Sequence, residues 1–242
     1  MKTYLVKTPK LVQRTFPKRV WAFPMKKKQV FLTFDDGPIP EVTPWVLSLL
    51  KQHNAKATFF CIGENVTKHP EVFQQIKTEG HTIGNHTFHH LNGRKTKFED
   101  YLEDVEKADL VMLGVRPFDF AQGDSTKCEV IFQSINQQSS ISNQQSKLTK
   151  LFRPPFGKMT TQQANMLQKQ GYKIIMWDVL SADFDTTISE EQCLQNVLQN
   201  VKEGSIVVFH DSLKAEKKLR YTLPKVLDYI SEKGWECQAI EL

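Results

Sequence analysis

Several features common in chains of this size are missing here, and each absence removes a class of function. The four cysteines, Cys61, Cys128, Cys193 and Cys237, lie far apart. They form no Cys-x-x-Cys pair, and no histidine stands at finger-like spacing, which excludes a zinc ribbon or a redox motif and points to free thiols in a reducing compartment. No internal repeat is present. The first 28 residues hold no acid at all but nine of the 32 Lys and Arg, which leaves 23 cations against 27 acids, a net of −4, after Lys28, although the whole chain carries +5. The basicity therefore belongs to the N-terminal arm. Its longest apolar stretch is "VWAFPM", and Pro9, Pro17 and Pro24 interrupt any helix, so the arm contains neither the apolar core of a signal peptide nor a membrane-spanning segment. The expected location is the cytoplasm or the inner face of the membrane. With Leu11, Val12, Phe16, Trp21 and Phe23 interleaved among its cations, residues 1–28 read as a basic extension packed loosely on the domain, suited to peripheral contact with an anionic membrane surface. No recognition motif accompanies the charge, so nucleic acid is not an expected partner.

What is present is globular. The chain has 242 residues, 40% of them hydrophobic and 24% charged, enough for a sizeable core and within the range of one large α/β unit. Short apolar runs at Val30–Phe34, Ala57–Ile62, His81–Gly84, Leu151–Phe152, Tyr172–Trp177, Ser205–Phe209 and Trp235–Ile240 give seven candidate strands, with amphipathic stretches between most of them. Thr43-Pro44 can open a helix, and Gly80, Gly171 and Gly234 each follow a polar helical stretch where a terminating glycine belongs. Strands that alternate with helices pair in parallel through right-handed crossovers. One segment breaks the rhythm: from about 115 to 150 the pattern dissolves, and Gln133–Ser146 has twelve Gln, Ser or Asn among fourteen residues. This reads as a polar insertion in a domain spanning 29–242.

The polar residues gather at strand ends. Asp35 and Asp36 follow the first strand in "VFLTFDDGPIP", "NHTFHH" (Asn85 to His90) follows the third, and "RPPFG" (Arg153 to Gly157) the fourth. "WDVLSADF" (Trp177 to Phe184) follows the fifth and "HDS" (His210 to Ser212) the sixth. In a closed parallel sheet those ends share the face on which β/α barrels build active sites. His86 and His90, four apart, can reach the same side, and one carboxylate from another strand would complete a set of three metal ligands; His89 competes for the second position. Such a nitrogen and oxygen set suits Zn2+, with Co2+, Ni2+ or iron chemically possible.

These motifs together resemble the polysaccharide deacetylases of the nodulation-protein-B homology family, a carbohydrate esterase family. "TFDDGP", "HTFHH", "RPPFG", "SADF" and "VFH" match in order from Thr33 to Asp211. The resemblance implies a distorted seven-stranded β/α barrel and hydrolysis of acetyl groups on N-acetylated sugars of a polysaccharide or glycoconjugate. It implies Asp36, His86 and His90 as ligands of a divalent metal, which selects His90 over His89, and Asp35 as the general base. It further implies Arg153 to orient Asp35, the Phe156 backbone N–H to stabilise the oxyanion, His210 as the acid, and Asp183 to orient it. Leu180 and Phe184 stand where the family has aspartate and tryptophan, and Val208 where it has leucine, so Phe184 and Val208 are expected to line an altered substrate pocket. Asp178, Asp211, Asn85 and His81 read as supporting groups. A metal-dependent amidohydrolase for a small non-sugar amide is the alternative, and a non-catalytic carbohydrate-binding protein a more distant one.

Overall fold

The computed structural model describes residues 4–25, 27–115 and 150–241, so the expected polar insertion lies outside the described residues except at its ends. Among the described residues there are eight strands: β1 (Gln29–Asp35), β2 (Thr58–Cys61), β3 (Thr82–Asn85), β4 (Leu151–Phe152), β5 (Lys173–Ile174), β6 (Val179–Leu180), β7 (Ile206–His210) and β8 (Glu236–Cys237). The helices are α1 (Lys10–Thr15), α2 (Thr43–Gln52), α3 (Gly63–Lys68), α4 (Pro70–Thr78), α5 (Phe98–Met112), α6 (Thr161–Lys169), α7 (Glu190–Leu198) and α8 (Glu216–Glu232). Local chemistry sets their starts. Pro44 occupies the first turn of α2, Thr160 and Gln163 form a reciprocal capping box at α6, and the Ser189 side chain accepts the Gln192 N–H at the head of α7.

The paired strands are parallel, in the order β5-β4-β3-β2-β1-β7-β6, with β8 paired to the start of β1. Seven strands on one path agree with the expected barrel, but their membership differs. The run expected as one strand at Tyr172–Trp177 contains only β5, β6 lies just beyond it at Val179–Leu180 where no strand was expected, and the expected last strand is β8, off the path. Ile175 N–H donates to the Phe152 carbonyl beside β4 at 2.8 Å, whereas Asp178 and Ser181 N–H donate to Ile206 and Val208 carbonyls on β7 at 3.2 and 3.1 Å. One stretch of chain thus changes partner midway, and the sheet returns on itself through residues 175–178. The distortion of the barrel is that switch.

Strand alternation divides the core in two. On β1 the side chains of Val30, Leu32 and Phe34, and on β7 those of Val207 and Phe209, join the large cluster beneath α2, α4, α7 and α8. The intervening residues face the barrel interior. There Phe31, Phe60, Leu151, Ile175, Ile206 and Ile240 form an apolar floor. The same alternation continues one step up to Thr33 and Val208, which are paired in register, and then to Asp35 and His210 at the strand ends.

The expectation of a loosely packed extension does not hold for the described part of the arm. Val20 N–H donates to the Ile174 carbonyl and accepts Met176 N–H on its own carbonyl, at 2.9 and 2.7 Å. Thr8 N–H donates to Asp178 and the Val6 carbonyl accepts Leu180 N–H, at 2.9 and 2.8 Å. The arm therefore covers the edge that each half of the switching segment leaves free, which is how sheets avoid exposed edges. Lys7 Nζ fixes it in place with 2.7 Å to the buried Asp178 carboxylate and 2.8 Å to the Asn200 carbonyl. Asp178 Oδ2 also accepts the Ser205 hydroxyl, so Lys7 is the cation that balances a buried carboxylate. Lys7→Met should lower stability by about 2 kcal/mol. Chemical denaturation measures it, and an unchanged midpoint would mean that the arm is not coupled to the barrel.

Candidate active site

The residues expected in the site, apart from the support groups and the mid-strand Val208, lie on loops or strand ends at one mouth of the barrel. Asp35 ends β1 and Asp36 follows it at φ 80°, outside the range that L-residues prefer. Thr87, His90, Phe156 and Ala182 also take positive φ, at 63°, 56°, 60° and 61°. Five non-glycine residues with this geometry around one mouth mark loops held in place by their surroundings, a pattern that accompanies function.

The turn after Asp36 is clamped from the end of the neighbouring strand β7. Asp211 Oδ1 accepts the Gly37 N–H at 3.1 Å and Oδ2 accepts the Thr43 hydroxyl at 2.6 Å, whose oxygen in turn accepts Ile39 N–H. A side chain at position 37 would meet the Asp211 carboxylate at 2.1 Å, so the turn requires glycine. Asn65 Nδ2 donates to the Asp36 carbonyl at 2.7 Å. The Asn85 side chain accepts Thr87 N–H and donates to Asp109, shaping the turn that presents the two histidines.

Asp36, His86 and His90 bring three ligand atoms within 4.8 Å of one another. Asp36 Oδ1 lies 3.7 Å from His86 Nε2 and 3.3 Å from His90 Nε2, and it is a buried oxygen without a hydrogen-bond partner among the described residues. An orphaned carboxylate oxygen facing two imidazole nitrogens fits a divalent cation. Burial, together with the neighbouring His90, pushes His86 down to about 3, so its imidazole is neutral. His86 Nδ1 lies 2.7 Å from the Arg153 carbonyl; a neutral ring donates its proton there and keeps the Nε2 lone pair free. His89 turns elsewhere, with Nδ1 at 2.5 Å from Asp104 Oδ1. Of the two histidines left open by spacing, the geometry brings His90 to Asp36.

Arg153 is fully buried, and its guanidinium fills the middle of the mouth. Nη1 donates to Asp35 Oδ1 at 2.6 Å and to the Thr33 hydroxyl at 2.7 Å, and Nε and Nη2 donate to the carbonyls of Ile175 and Met176 at 3.2 and 3.0 Å. Its plane rests over Phe60 on the barrel floor, 4.1 Å from the ring centre. Thr33 escaped the sequence reading. The available signal was its position two residues before Asp35 on a strand, which puts both side chains on one face.

His210 ends β7. Its Nδ1 and its N–H reach the two oxygens of the buried Asp183, at 2.7 and 2.8 Å. Burial alone would lower the imidazole, but the charge and hydrogen bond of Asp183, with Asp36 and Asp35 behind them, outweigh it and raise His210 to about 9. Phe184 stands edge-on to the His210 ring at 5.0 Å, and Phe156, 58% exposed, faces His90 at 4.6 Å. Val208, two residues before His210 on β7, is buried. His81, Asn85, Asp178 and Asp211 hydrogen-bond to backbone, in agreement with supporting roles.

A β/α barrel that brings to one mouth a carboxylate paired to arginine, an aspartate-paired histidine and a two-histidine, one-aspartate set able to hold a cation has the parts that metal-assisted acyl transfer uses. The polysaccharide deacetylase family model matches residues 23–175, and the chain belongs to that family. It is 34% identical over 197 residues to a peptidoglycan-N-acetylglucosamine deacetylase of Bacillus cereus, covering 81% of this chain and 61% of that relative's length. It is 32% identical over 185 residues to a chitooligosaccharide deacetylase of Azorhizobium caulinodans, covering 76% of this chain and 74% of the relative. Among solved structures, a peptidoglycan N-acetylglucosamine deacetylase in complex with an N-hydroxybenzamide superposes with a TM-score of 0.77 at 29% identity, covering 96% and 95% of the two chains. A pseudoenzyme of the same carbohydrate esterase family superposes with a TM-score of 0.69 at 21% identity, so the fold alone does not guarantee activity. Elemental analysis tests the cation site: His86→Ala and His90→Ala should each lose bound metal, whereas His89→Ala should keep it. Full metal in the first two would refute the ligand set.

Proposed function

We propose that this chain hydrolyses the acetamide of N-acetylglucosamine residues in a glycan of the peptidoglycan type, releasing acetate and leaving a free amine on the sugar. The observation that carries the reading is the meeting at one mouth of a carboxylate held by arginine, a histidine held by aspartate, and the cation triad between them. Asp36, His86 and His90 would hold a divalent cation, and Zn2+ is the ion that this donor set suits. When bound, the cation supplies Lewis acidity toward the acetyl carbonyl and lowers the pKa of the attacking water.

This chain's residues do the rest. Asp35 takes a proton from the water as its oxygen adds to the acetyl carbon, and Arg153 holds the carboxylate at the angle that reaches it. The Phe156 N–H, presented by the left-handed turn of the Arg153 loop, donates to the developing oxyanion; one such donor contributes about 3 kcal/mol to the transition state. His210 enters the step as imidazolium and gives its proton to the sugar nitrogen as the carbon–nitrogen bond breaks. The proton held by Asp35 completes the ammonium product or returns to water. Phe184 and Val208 line the space beside His210, where the acetyl methyl and sugar ring would rest.

The test is acetate release from N-acetylglucosamine oligomers, intact peptidoglycan and small acetamides, after chelation and after return of Zn2+, Co2+ or Ni2+. Metal-dependent release from the glycans and not from the small amides is the expected result. Release from small amides alone would overturn the reading. Asp35→Asn should keep its metal and lower turnover by about 10² to 10⁴. The acid form of His210 exists below its raised pKa, so turnover should hold as pH rises and fall through about 9. Asp183→Asn removes the charge that chiefly raises it, so the alkaline limb should move down toward the ordinary histidine range, about 6.5. A limb that stays in place in Asp183→Asn would show that His210 is not the titrating acid.

A further inference from the structure

The described part of the arm begins beside the active-site mouth. The Val6 carbonyl accepts the Leu180 N–H and Lys7 pairs antiparallel with Val179, so residues 6–8 lie along β6 as an added strand. β6 leads directly into residues 181–187, the loop that carries Asp183 and Phe184. Parts of this loop are tied within the domain: the Ser181 carbonyl accepts Asn196 Nδ2 at 2.9 Å, and Asp185 Oδ1 accepts the Thr187 N–H and hydroxyl. Phe184 has no polar group by which it could be held, and its ring partners among the described residues are His210 and Tyr4.

Tyr4 contacts the loop at two points. Its ring stands edge-on to Phe184, 5.5 Å between centroids at 71°, and its hydroxyl donates to Asp185 Oδ2 at 2.5 Å. The two contacts fall on the residues that directly follow Asp183. Phe184 in turn meets His210 edge-on at 5.0 Å and 77°. A continuous packed row therefore runs from the arm to the imidazole, and it crosses the residue next to that imidazole's carboxylate partner. Edge-to-face ring pairs of this kind hold a geometry as well as burying area.

We propose that Tyr4 is a positioning residue for the Asp183–His210 pair, which makes the N-terminal segment a working part of the active site. Tyr4 keeps Phe184 seated against His210 and the loop seated on β6, so that the short hydrogen bonds between Asp183 and His210 stay closed. Its catalytic consequence rests on the reading of His210 as the acid; its structural content does not. The arm, which covers the edge of the barrel at Val20 and at Val6, thus links closure of the barrel to the order of the proton donor.

The experiment compares full-length wild type, Tyr4→Phe and Tyr4→Ala, each loaded with Zn2+. Imidazole-labelled NMR follows the Nδ1 proton of His210, assigned by its loss in His210→Gln, and steady-state kinetics separates kcat from KM. In Tyr4→Ala exchange of that proton should speed up about tenfold and kcat should fall by about the same factor, with KM and metal content unchanged. Tyr4→Phe keeps the ring and should recover most of both. Tyr4→Leu replaces Tyr4→Ala if the latter does not fold. Unchanged exchange in Tyr4→Ala or Tyr4→Leu overturns the proposal, as does a loss confined to melting temperature. If wild type releases no acetate from any glycan, the proposed reaction fails by itself, and the proton-exchange comparison still decides whether Tyr4 holds the pair.

Discussion

A guanidinium with no contact to water sits where the barrel changes partners, and the site is arranged around its charge. A buried cation must be paired and its donors satisfied, or its desolvation would cost several kcal/mol, on the order of 3–5 kcal/mol when a partner is lost. Arg153 meets that requirement with one carboxylate, one hydroxyl and two carbonyls. The two carbonyls, of Ile175 and Met176, belong to the stretch in which the sheet passes from β4 to β7. The guanidinium thus accepts the backbone groups that the switch exposes to the interior. Burial lowers the arginine's pKa, and the charge and hydrogen bond of Asp35 offset part of that lowering. Its own carbonyl lies at His86 Nδ1 and fixes the tautomer of a cation ligand. Closure of the barrel, the direction of one carboxylate and the tautomer of one histidine all pass through this residue.

The same interaction separates two adjacent aspartates that would otherwise be equivalent. Strand alternation points Asp35 into the barrel toward Arg153, and the left-handed turn at Asp36 swings the next carboxylate toward the two histidines. One carboxylate has an oxygen held by a fixed cation of the chain, and the other keeps a buried oxygen without a hydrogen-bond partner among the described residues. On the neighbouring strand end a second pair, Asp183 with His210, is arranged with the opposite bias, so that the histidine stays protonated. In the proposed reaction these would serve as a fixed base, an open ligand set and a charged acid, three environments that metal-assisted amide hydrolysis can use.

Much of this was legible because the residues that carry chemistry fall at strand ends, and strand ends of a parallel barrel share a face. Asp35, Asp36, His86, His90, Arg153, Asp183 and His210 all stood at such ends in the sequence, and the structure gathers them. The competition between His89 and His90 was not decidable from spacing, since both fit a turn; the choice depends on Asp104, on α5, which takes His89. The split of the fifth strand was hidden for a similar reason. Val179 and Leu180 stand just past Asp178, which ends the apolar run, and nothing local says that a second strand with a new partner begins there. The arm misled through its charge. Nine cations suggested a solvated extension, yet Lys7 serves a carboxylate 171 positions away, and the arm's edge pairing is made by backbone groups that carry no sequence signature.

The division of labour between Asp35 and Asp36, imposed by Arg153, is the claim on which the rest stands, and a crystal structure of the zinc-loaded protein tests it most directly. The account predicts density for one ion bonded to Asp36, His86 Nε2 and His90 Nε2, each at about 2.0–2.2 Å, with Asp35 still on Arg153 and outside the coordination sphere. An ion bonded to Asp35 or His89, or an Asp35 carboxylate released from Arg153, would contradict it.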